Sequence, residues 1–241
     1  MKIGILHLSD LHIKDRSEEI AEAFSAVLGA VRTRLRGVDK VFVLVTGDIV
    51  WGGKREQFEC ASYYLEILKS DISRESGNFV DIVVCPGNHD CDLIPVDRVR
   101  ELILDTVISD ESKLVDDYVS KCIECQSAYF EFRRNVTEME SLDSGPFLSV
   151  YRYVLDGNVL TFNSINASWM SRIPEVPGRL IFPEVALSEV SGHQEGLVIS
   201  AIHHPLNWYA PSSHHPLRRF LQESCDLVVS GHEHLASARD V

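Results

Sequence analysis

Short apolar runs alternate with amphipathic stretches in the first part of the chain. Apolar segments occupy residues 3–8, 41–45 and 79–84, and the last two have the composition of strands that are buried on both faces. Between them, apolar residues at helical spacing predict helices over 17–36 and 55–68. This β-α-β-α-β order predicts a parallel sheet with crossover helices, and therefore an α/β fold.

The pattern changes after the third predicted strand. Residues 96–140 are charged, helical in period and without buried strand runs, which predicts an insertion or cap of two or three helices. Apolar segments at 147–155 and 159–163 flank an Asp-Gly-Asn turn that begins at Asp156, a hairpin pattern. A second sheet, antiparallel at least in part, is therefore expected. The remaining predicted elements are a strand, a helix and a strand at 197–202, 217–221 and 227–229.

The overall composition is typical of a globular protein, since 45% of the 241 residues are hydrophobic and 24% are charged. No apolar run approaches the roughly 18–20 residues that a membrane-spanning helix needs. The first ten residues, MKIGILHLSD, are too short and too polar for a signal peptide, so a cytoplasmic location is expected and no membrane partner. In that compartment the six cysteines are expected to be free thiols.

The chain is acidic, with a formal net charge of −13. An acidic domain does not attract a polyanion by its general field, which counts against a surface dedicated to nucleic acid. It does not count against a phosphate substrate, because bound metal cations reverse the local sign of the field.

Clusters of aspartate, asparagine and histidine directly follow five of the predicted strands. They are Asp10 and His12, Asp48, Asn88 with His89 and Asp90, His203 and His204, and His232 and His234. Taken singly, such residues at strand ends are more often caps than ligands. The presence of such clusters after five strands indicates a metal site instead, because imidazole and carboxylate are the usual ligands of Zn, Mn and Fe. Ligands of open α/β sheets bind outside the carboxyl ends of the strands.

The spacing within these clusters suits metal binding. Asp10 and His12 are two residues apart, so on an extended segment both side chains point the same way and can bind one ion. The same holds for His232 and His234. Asp48 follows the second strand, and a carboxylate there can bridge two ions at a separation of roughly 3.5–4 Å.

Taken together, these clusters resemble the motifs of the calcineurin-like metallophosphoesterase superfamily. The motifs are Asp10-x-His12, Gly47-Asp48, Gly87-Asn88-His89-Asp90, His203-His204-Pro205 and Gly231-His232-x-His234. All five occur in the order of the family, and they span nearly the whole chain. The resemblance implies a four-layer α/β/β/α sandwich with a dinuclear metal site at the carboxyl ends of the strands. The first motif, His-Leu-Ser-Asp-Leu-His, and the Pro-Gly-Asn-His-Asp turn are most similar to those of the bacterial cyclic-nucleotide phosphodiesterase and exonuclease branches.

The resemblance also implies a role for each motif residue. One ion would be bound by Asp10, His12 and His234, the other by Asn88, His203 and His232, with Asp48 bridging them. A metal-bridging hydroxide would attack phosphorus in line. His89 would stabilise the phosphoryl oxygen or protonate the leaving group, and Asp90 would orient the His89 imidazole.

Adjacent histidines pose a choice, because an extended backbone sends His203 and His204 to opposite faces and only one should be a ligand. The family pattern favours His203. The loop that follows leaves directly from a site residue, so His204, Trp208 and Tyr209 are predicted to line the substrate site. The alternative is an ordinary surface loop with partly buried aromatic side chains.

The predicted function is a metal-dependent phosphodiesterase that acts on a small or nucleotide substrate with two Mn, Fe or Zn ions. The alternatives are a DNA or RNA nuclease and a non-catalytic scaffold that keeps the fold. The catalytic domain is expected to span 1–241. Since the family usually continues past the last histidine motif, the expected alternatives are a short member and the N-terminal part of a longer protein, with a partner domain or chain.

Overall fold

The structure is a computed structural model that describes residues 1–183, 186–187 and 195–234, with the backbone alone at 143–144. The first part of the chain has the predicted β-α-β-α-β order. Its elements are β1 (Ile3–Leu8), α1 (Glu18–Val31), β2 (Lys40–Thr46), α2 (Arg55–Ser76) and β3 (Phe79–Cys85). The three strands form one parallel sheet in the order β1-β2-β3, which confirms the prediction.

Local signals explain where these helices begin and end. The Ser17 hydroxyl accepts a hydrogen bond from the backbone of Ile20 and caps the start of α1. Helix α2 ends at Gly77, which has a φ of 70° and donates its N–H to the carbonyl of Ser73. A left-handed residue at this position is the usual helix stop, and glycine adopts it without steric cost.

The described residues after β3 supply four more helices and the second sheet. Its elements are α3 (Arg98–Ser109), α4 (Asp116–Ile123), α5 (Ser127–Val136), β4 (Asp143–Ser144), β5 (Leu148–Leu155), β6 (Asn158–Ile165), β7 (Leu197–Ile202), α6 (Pro211–Ser224) and β8 (Leu227–Ser230). The sheet order is β4-β5-β6-β7-β8. Strands β4 to β6 pair antiparallel and β6 to β8 pair parallel, so the expected partly antiparallel sheet is confirmed.

The two sheets pack face to face between two layers of helices. Side chains of β2 alternate: Val41 and Val43 pack against the helices, whereas Phe42 and Leu44 pack against the second sheet. Helices α1, α2 and α5 cover the first sheet, and α3, α4 and α6 cover the second. This is the α/β/β/α sandwich implied by the resemblance. The segment predicted as a helical insertion or cap supplies helices to both outer layers.

The cysteines and the helices of the structure bear on two predictions from composition. All six cysteines are free thiols, as the sequence predicts. None of the helices in the part of the chain that the structure describes is both long and apolar enough to span a bilayer.

Candidate metal centre

The polar clusters meet where strands of both sheets end. The last residues of β2 and β3 are register neighbours, as are those of β7 and β8, and the last residue of β1 pairs with the residue before the last of β2. Four groups of side chains there each offer ligand atoms that lie within 4.8 Å of one another. The groups are Asp10, His12 and His234; His203, His204 and His232; Asp10, Asp48 and His203; and His12, Asp48 and His89. The groups overlap, so the clusters form one continuous centre.

The backbone of this centre is held in an uncommon conformation. Left-handed φ values between 48° and 72° occur at five of its residues, namely Asp10, His12, Asp48, His232 and His234. Outside the centre, Asp156 in the hairpin turn is the other non-glycine residue of the described chain with this conformation. Each such residue costs on the order of 1–3 kcal/mol, and this strain persists only where surrounding structure fixes it, typically at functional sites.

Hydrogen bonds between loops fix the left-handed residues. The N–H groups of Asp10 and His12 donate to the carbonyls of Gly47 and Asp48, at 3.1 and 2.9 Å. The loop after β1 therefore stays paired with the loop after β2. Asp10 and His12 converge through this bent backbone, whereas the sequence suggested an extended segment that places both side chains on one side.

Asp48 lies between the two sides of the centre. Its side chain is almost fully buried, and its Oδ1 accepts the backbone N–H of His89 at 2.8 Å and lies 3.4 Å from His203 Nε2. Burial alone raises the pKa of Asp48, but the His203 hydrogen bond and charge and the His89 N–H outweigh it and lower the pKa. The side chain is therefore a carboxylate in contact with groups from both sheets.

His203 and His204 are both completely buried. The Nδ1 of His203 donates to the Thr46 carbonyl at 2.7 Å, which leaves Nε2 facing Asn88 Oδ1 at 3.1 Å. His203 Nε2 also lies 3.2 Å from His232 Nδ1. The chain bends directly after β7, so the strict alternation of an extended backbone ends there. As a result both adjacent histidines lie against His232, which differs from the expectation that only one faces the site.

Glu175 holds the second of these histidines. Its Oε2 lies 3.2 Å from His204 Nε2, while His204 Nδ1 has no hydrogen-bond partner among the described residues. Burial raises the pKa of Glu175, but the hydrogen bond and charge of His204 outweigh it and lower the pKa. Sequence reasoning missed Glu175, because it belongs to no motif and a lone glutamate in a loop does not indicate a contact with a histidine.

His89 lies beside Trp51 at the rim of the centre. Its Nδ1 lies 2.8 Å from the Trp51 carbonyl oxygen, and its ring packs 4.9 Å from the indole and 4.7 Å from the His12 imidazole. Trp51 itself is 47% exposed, and sequence reasoning assigned it no role. Its position, three residues after Asp48, was the one available signal.

The expected pairing of Asp90 with the His89 imidazole does not form. Asp90 is completely buried, and its two oxygens accept the backbone N–H groups of Val50 and Gly87, at 3.0 and 2.8 Å. Burial and the nearby charge of Asp48 raise the pKa of Asp90. The carboxyl group therefore ties the loop after β2 to the loop after β3, while the Trp51 carbonyl takes the position beside His89.

The predicted substrate-lining residues fall in different environments. Trp208 is half-buried, and its ring lies 4.2 Å from that of His232. Tyr209 is only 3% exposed and packs in the core beside Leu217, so its prediction as a substrate residue is wrong. The backbone around it pairs with Leu180, which turns the Tyr209 side chain inward. His204 is also fully enclosed and has no exposed surface to line a substrate site.

Unsatisfied polar atoms test whether this donor set fits metal ions. Asp10 Oδ1, His12 Nδ1 and His204 Nδ1 are buried without a hydrogen-bond partner in the described chain. A buried polar atom left in this way costs about 1–3 kcal/mol, and a cation would remove the cost. Carboxylate, amide oxygen and imidazole together are a donor set typical of Mn, Fe and Zn. The residues present therefore fit divalent metal ions.

The backbone of Gly87 lies so close to Asp48 that it leaves no room for a side chain. A Cβ at this position would overlap the carboxylate and the backbone nitrogen of Asp48, so neither side can give way cheaply. We expect Gly87→Ala to lower the free energy of unfolding by about 3 kcal/mol and to disrupt metal binding. Denaturant unfolding and metal analysis of the purified variant measure both effects.

A matched control is Gly29→Ala in α1, where the added methyl meets nothing within 4 Å. This variant should keep its metal and gain up to about 1 kcal/mol of stability, since alanine is the better helix former. A Gly87→Ala variant with the stability and metal content of the parent would show that the loops do not need this close contact.

Comparisons with known proteins agree with the fold. Two sheets between helices, with carboxylates and histidines at the strand ends, define a metallophosphoesterase-like class. The chain belongs to the calcineurin-like phosphoesterase family, whose model matches residues 3–236. This confirms the resemblance seen in the sequence, and metal-dependent phosphoester hydrolysis is the reaction class of that family.

Two curated proteins are similar to the chain. An uncharacterized metallophosphoesterase-like protein of Bacillus subtilis (strain 168), YydB, is 24% identical over 251 residues, which cover 98% of this chain and 50% of that protein. An uncharacterized protein of Acanthamoeba polyphaga mimivirus is 29% identical over 100 residues, 41% of this chain and 7% of that protein. The chain thus spans about half of the first relative and a small part of the second.

Proposed function

We propose that the chain is a phosphodiesterase that acts on a small or nucleotide substrate with two divalent metal ions. The convergence of ligand groups on Asp48, with buried donor atoms that lack partners, is the observation that carries the proposal. In this arrangement Asp10, His12 and His234 would hold the first ion and Asn88, His203 and His232 the second, with Asp48 as a shared ligand. Manganese, iron and zinc all suit these donors.

The chemistry follows from the charges that the centre would hold. Two divalent ions held there would lower the pKa of water toward about 7 and would offset the negative charge of a phosphoryl group. The Trp51 carbonyl accepts the Nδ1–H of His89, so the opposite nitrogen, Nε2, remains available to the substrate. A protonated His89 can then donate to a phosphoryl oxygen or to the leaving oxygen. Both tasks would leave His89 free of the two ions, although its ring lies close to His12 and Asp48.

Aromatic side chains on either side of the centre favour a substrate that carries an aromatic or nucleoside group. Trp51 lies beside His12 and His89, and Trp208 lies beside His232. Indole rings stack on bases and aryl groups without requiring a particular sequence. The net charge of −13 favours a small substrate over a long nucleic acid.

A substrate screen tests this function. The metal-loaded protein is assayed with bis-p-nitrophenyl phosphate, p-nitrophenyl phosphate, cyclic AMP and single-stranded DNA in Mn²⁺. We expect the small diesters to be hydrolysed fastest. Salt-dependent cleavage of DNA without small-diester activity would make the chain a nuclease. A pure protein that binds no transition metal and hydrolyses none of these would leave the scaffold alternative.

Glu175 offers a more local test of the second ion site. His204 shares a ligand group with His203 and His232, so it would be an additional ligand of the second ion. A carboxylate on the far nitrogen of an imidazole ligand usually fixes the ring and strengthens metal binding. We expect Glu175→Gln to weaken binding of one of the two ions about 10–100-fold, because His204 loses its charged partner. Titration with a chelator measures the affinity of each ion. Unchanged affinities for both would separate His204 and Glu175 from the metal centre.

A further inference from the structure

A cavity lies between α4, α5, the segment that follows α5 and the start of β5. Its volume is about 840 Å³, and none of its lining residues belongs to the four ligand groups of the metal centre. Its wall combines polar groups with apolar side chains, among them Val119, Ile123, Phe130, Phe147 and Tyr151. We propose that this cavity binds a small amphipathic monoanion, that is, a carboxylate attached to an apolar body.

Arg133 is the buried charged residue at this cavity. Its side chain is 8% exposed, donates to the Ser149 hydroxyl and lies with its guanidinium carbon 5.3 Å from the centre of the Phe130 ring. Within the described residues, no carboxylate lies within 4.0 Å of this guanidinium. A buried charge without a counterion is costly, whereas a bound carboxylate can accept two parallel hydrogen bonds from a guanidinium. The structure thus leaves a place for one anionic group.

The surroundings of Arg133 select the kind of anion. Arg134, the next residue, also lines the cavity and is exposed, while Asp116, Glu138 and Glu140 add negative charge to the lining. Glu138 is paired with Lys69 at 2.6 Å and does not neutralise Arg133. This mixture disfavours a polyanion such as a nucleotide and favours one carboxylate.

Size and wall chemistry select the rest of the ligand. Cavities of roughly 300–1,000 Å³ with mainly apolar walls and a few fixed polar groups are typical of small-molecule sites. The aromatic rings of Phe130, Phe147 and Tyr151 supply the apolar area, and Ser149 sets the orientation of the guanidinium. An aliphatic or aryl carboxylic acid matches both features.

Calorimetry of the full chain loaded with Mn²⁺ tests the proposal, with octanoate, decanoate and 1-decanol as probes below their aggregation limits. We expect decanoate to bind several-fold more tightly than octanoate, because the added methylenes are buried. Decanol should bind at least about tenfold more weakly than decanoate. Arg133→Met should lose about tenfold or more in decanoate affinity, while the exposed Arg36→Met should bind as the parent does.

A second variant keeps the test decisive if Arg133→Met fails to fold. Ser120 is exposed on α4 and lines the cavity, so Ser120→Trp should block decanoate while leaving Arg133 in place. Equal binding by the parent and Ser120→Trp would overturn the proposal, as would equal binding of decanoate and decanol. Competition of decanoate with a phosphodiester at the metal centre would also overturn it. Hydrolysis by Ser120→Trp should match the parent, so the result is independent of the proposed reaction.

Discussion

Asp48→Asn should remove bound metal and phosphoester hydrolysis together. The side chain is 2% exposed, and its carboxylate meets ligand groups from both sheets. An amide keeps the shape but replaces a negative oxygen with an NH₂ group that cannot bind a cation. Since loss of an outer partner of a metal ligand already costs about 10–100-fold in affinity, loss of the shared ligand should cost more for both ions.

Metal analysis by mass spectrometry, run beside the hydrolysis assay, checks this expectation. Asp156→Asn is the matched control, because Asp156 has the same left-handed backbone, with φ 49° against 51° for Asp48, but lies in the hairpin turn. Asparagine tolerates that conformation, so neither variant should suffer from backbone strain. A variant at Asp48 that still holds two ions would show that this carboxylate does not bridge them.

His89→Asn should keep the metal and lose turnover. His89 is half-buried at the rim, its Nδ1 lies against the Trp51 carbonyl, and its role as proton donor would require no contact with an ion. A positioned acid contributes about 10²–10⁴-fold to a rate, and this contribution matters most where the leaving oxygen is a strong base. The loss should therefore be near that range for alkyl diesters and smaller for p-nitrophenyl diesters.

A series of diesters with leaving groups of increasing basicity measures this difference through kcat. The variant should show a steeper dependence on leaving-group basicity than the parent, with unchanged metal content. His215→Asn, an exposed histidine on α6, is the control and should behave as the parent. If kcat depends on leaving-group basicity equally in the variant and the parent, His89 binds the phosphoryl oxygen and does not protonate the leaving group. Full activity of the variant on alkyl diesters would show that His89 takes no part in the reaction.

Most of the secondary structure follows from periodicity in the sequence. The apolar run at 41–45 predicts a strand buried on both faces, and in the structure its side chains pack alternately on helices and on the second sheet. The turn at Asp156 predicts the hairpin of β5 and β6. The sequence did not predict which sheet each helix covers, because an amphipathic pattern indicates that one face of a helix is buried but not against which partner. Helix α5 thus packs with α2, apart from α3 and α4.

In the candidate site, too, some residues are predicted by the sequence and others are found only in the structure. Motif residues such as Asp10 and His234 are identified by type and order along the chain, and the fold brings them within reach of one another. Trp51 and Glu175 contribute through a carbonyl oxygen and a lone carboxylate, features that leave no pattern in a sequence. The pairing expected for Asp90 failed for a related reason, since free backbone N–H groups of neighbouring loops took both its oxygens.

The sequence by itself determined the strands, the helices and the chemical types gathered at the strand ends, because these depend on local periodicity and on residue identity. The tertiary structure decided which atoms face one another. Left-handed turns at Asp10 and His12, the bend that brings both His203 and His204 to His232, and the inward turn of Tyr209 all arise from contacts between distant segments. The free energy of those contacts offsets local strain that no short stretch of sequence would adopt alone.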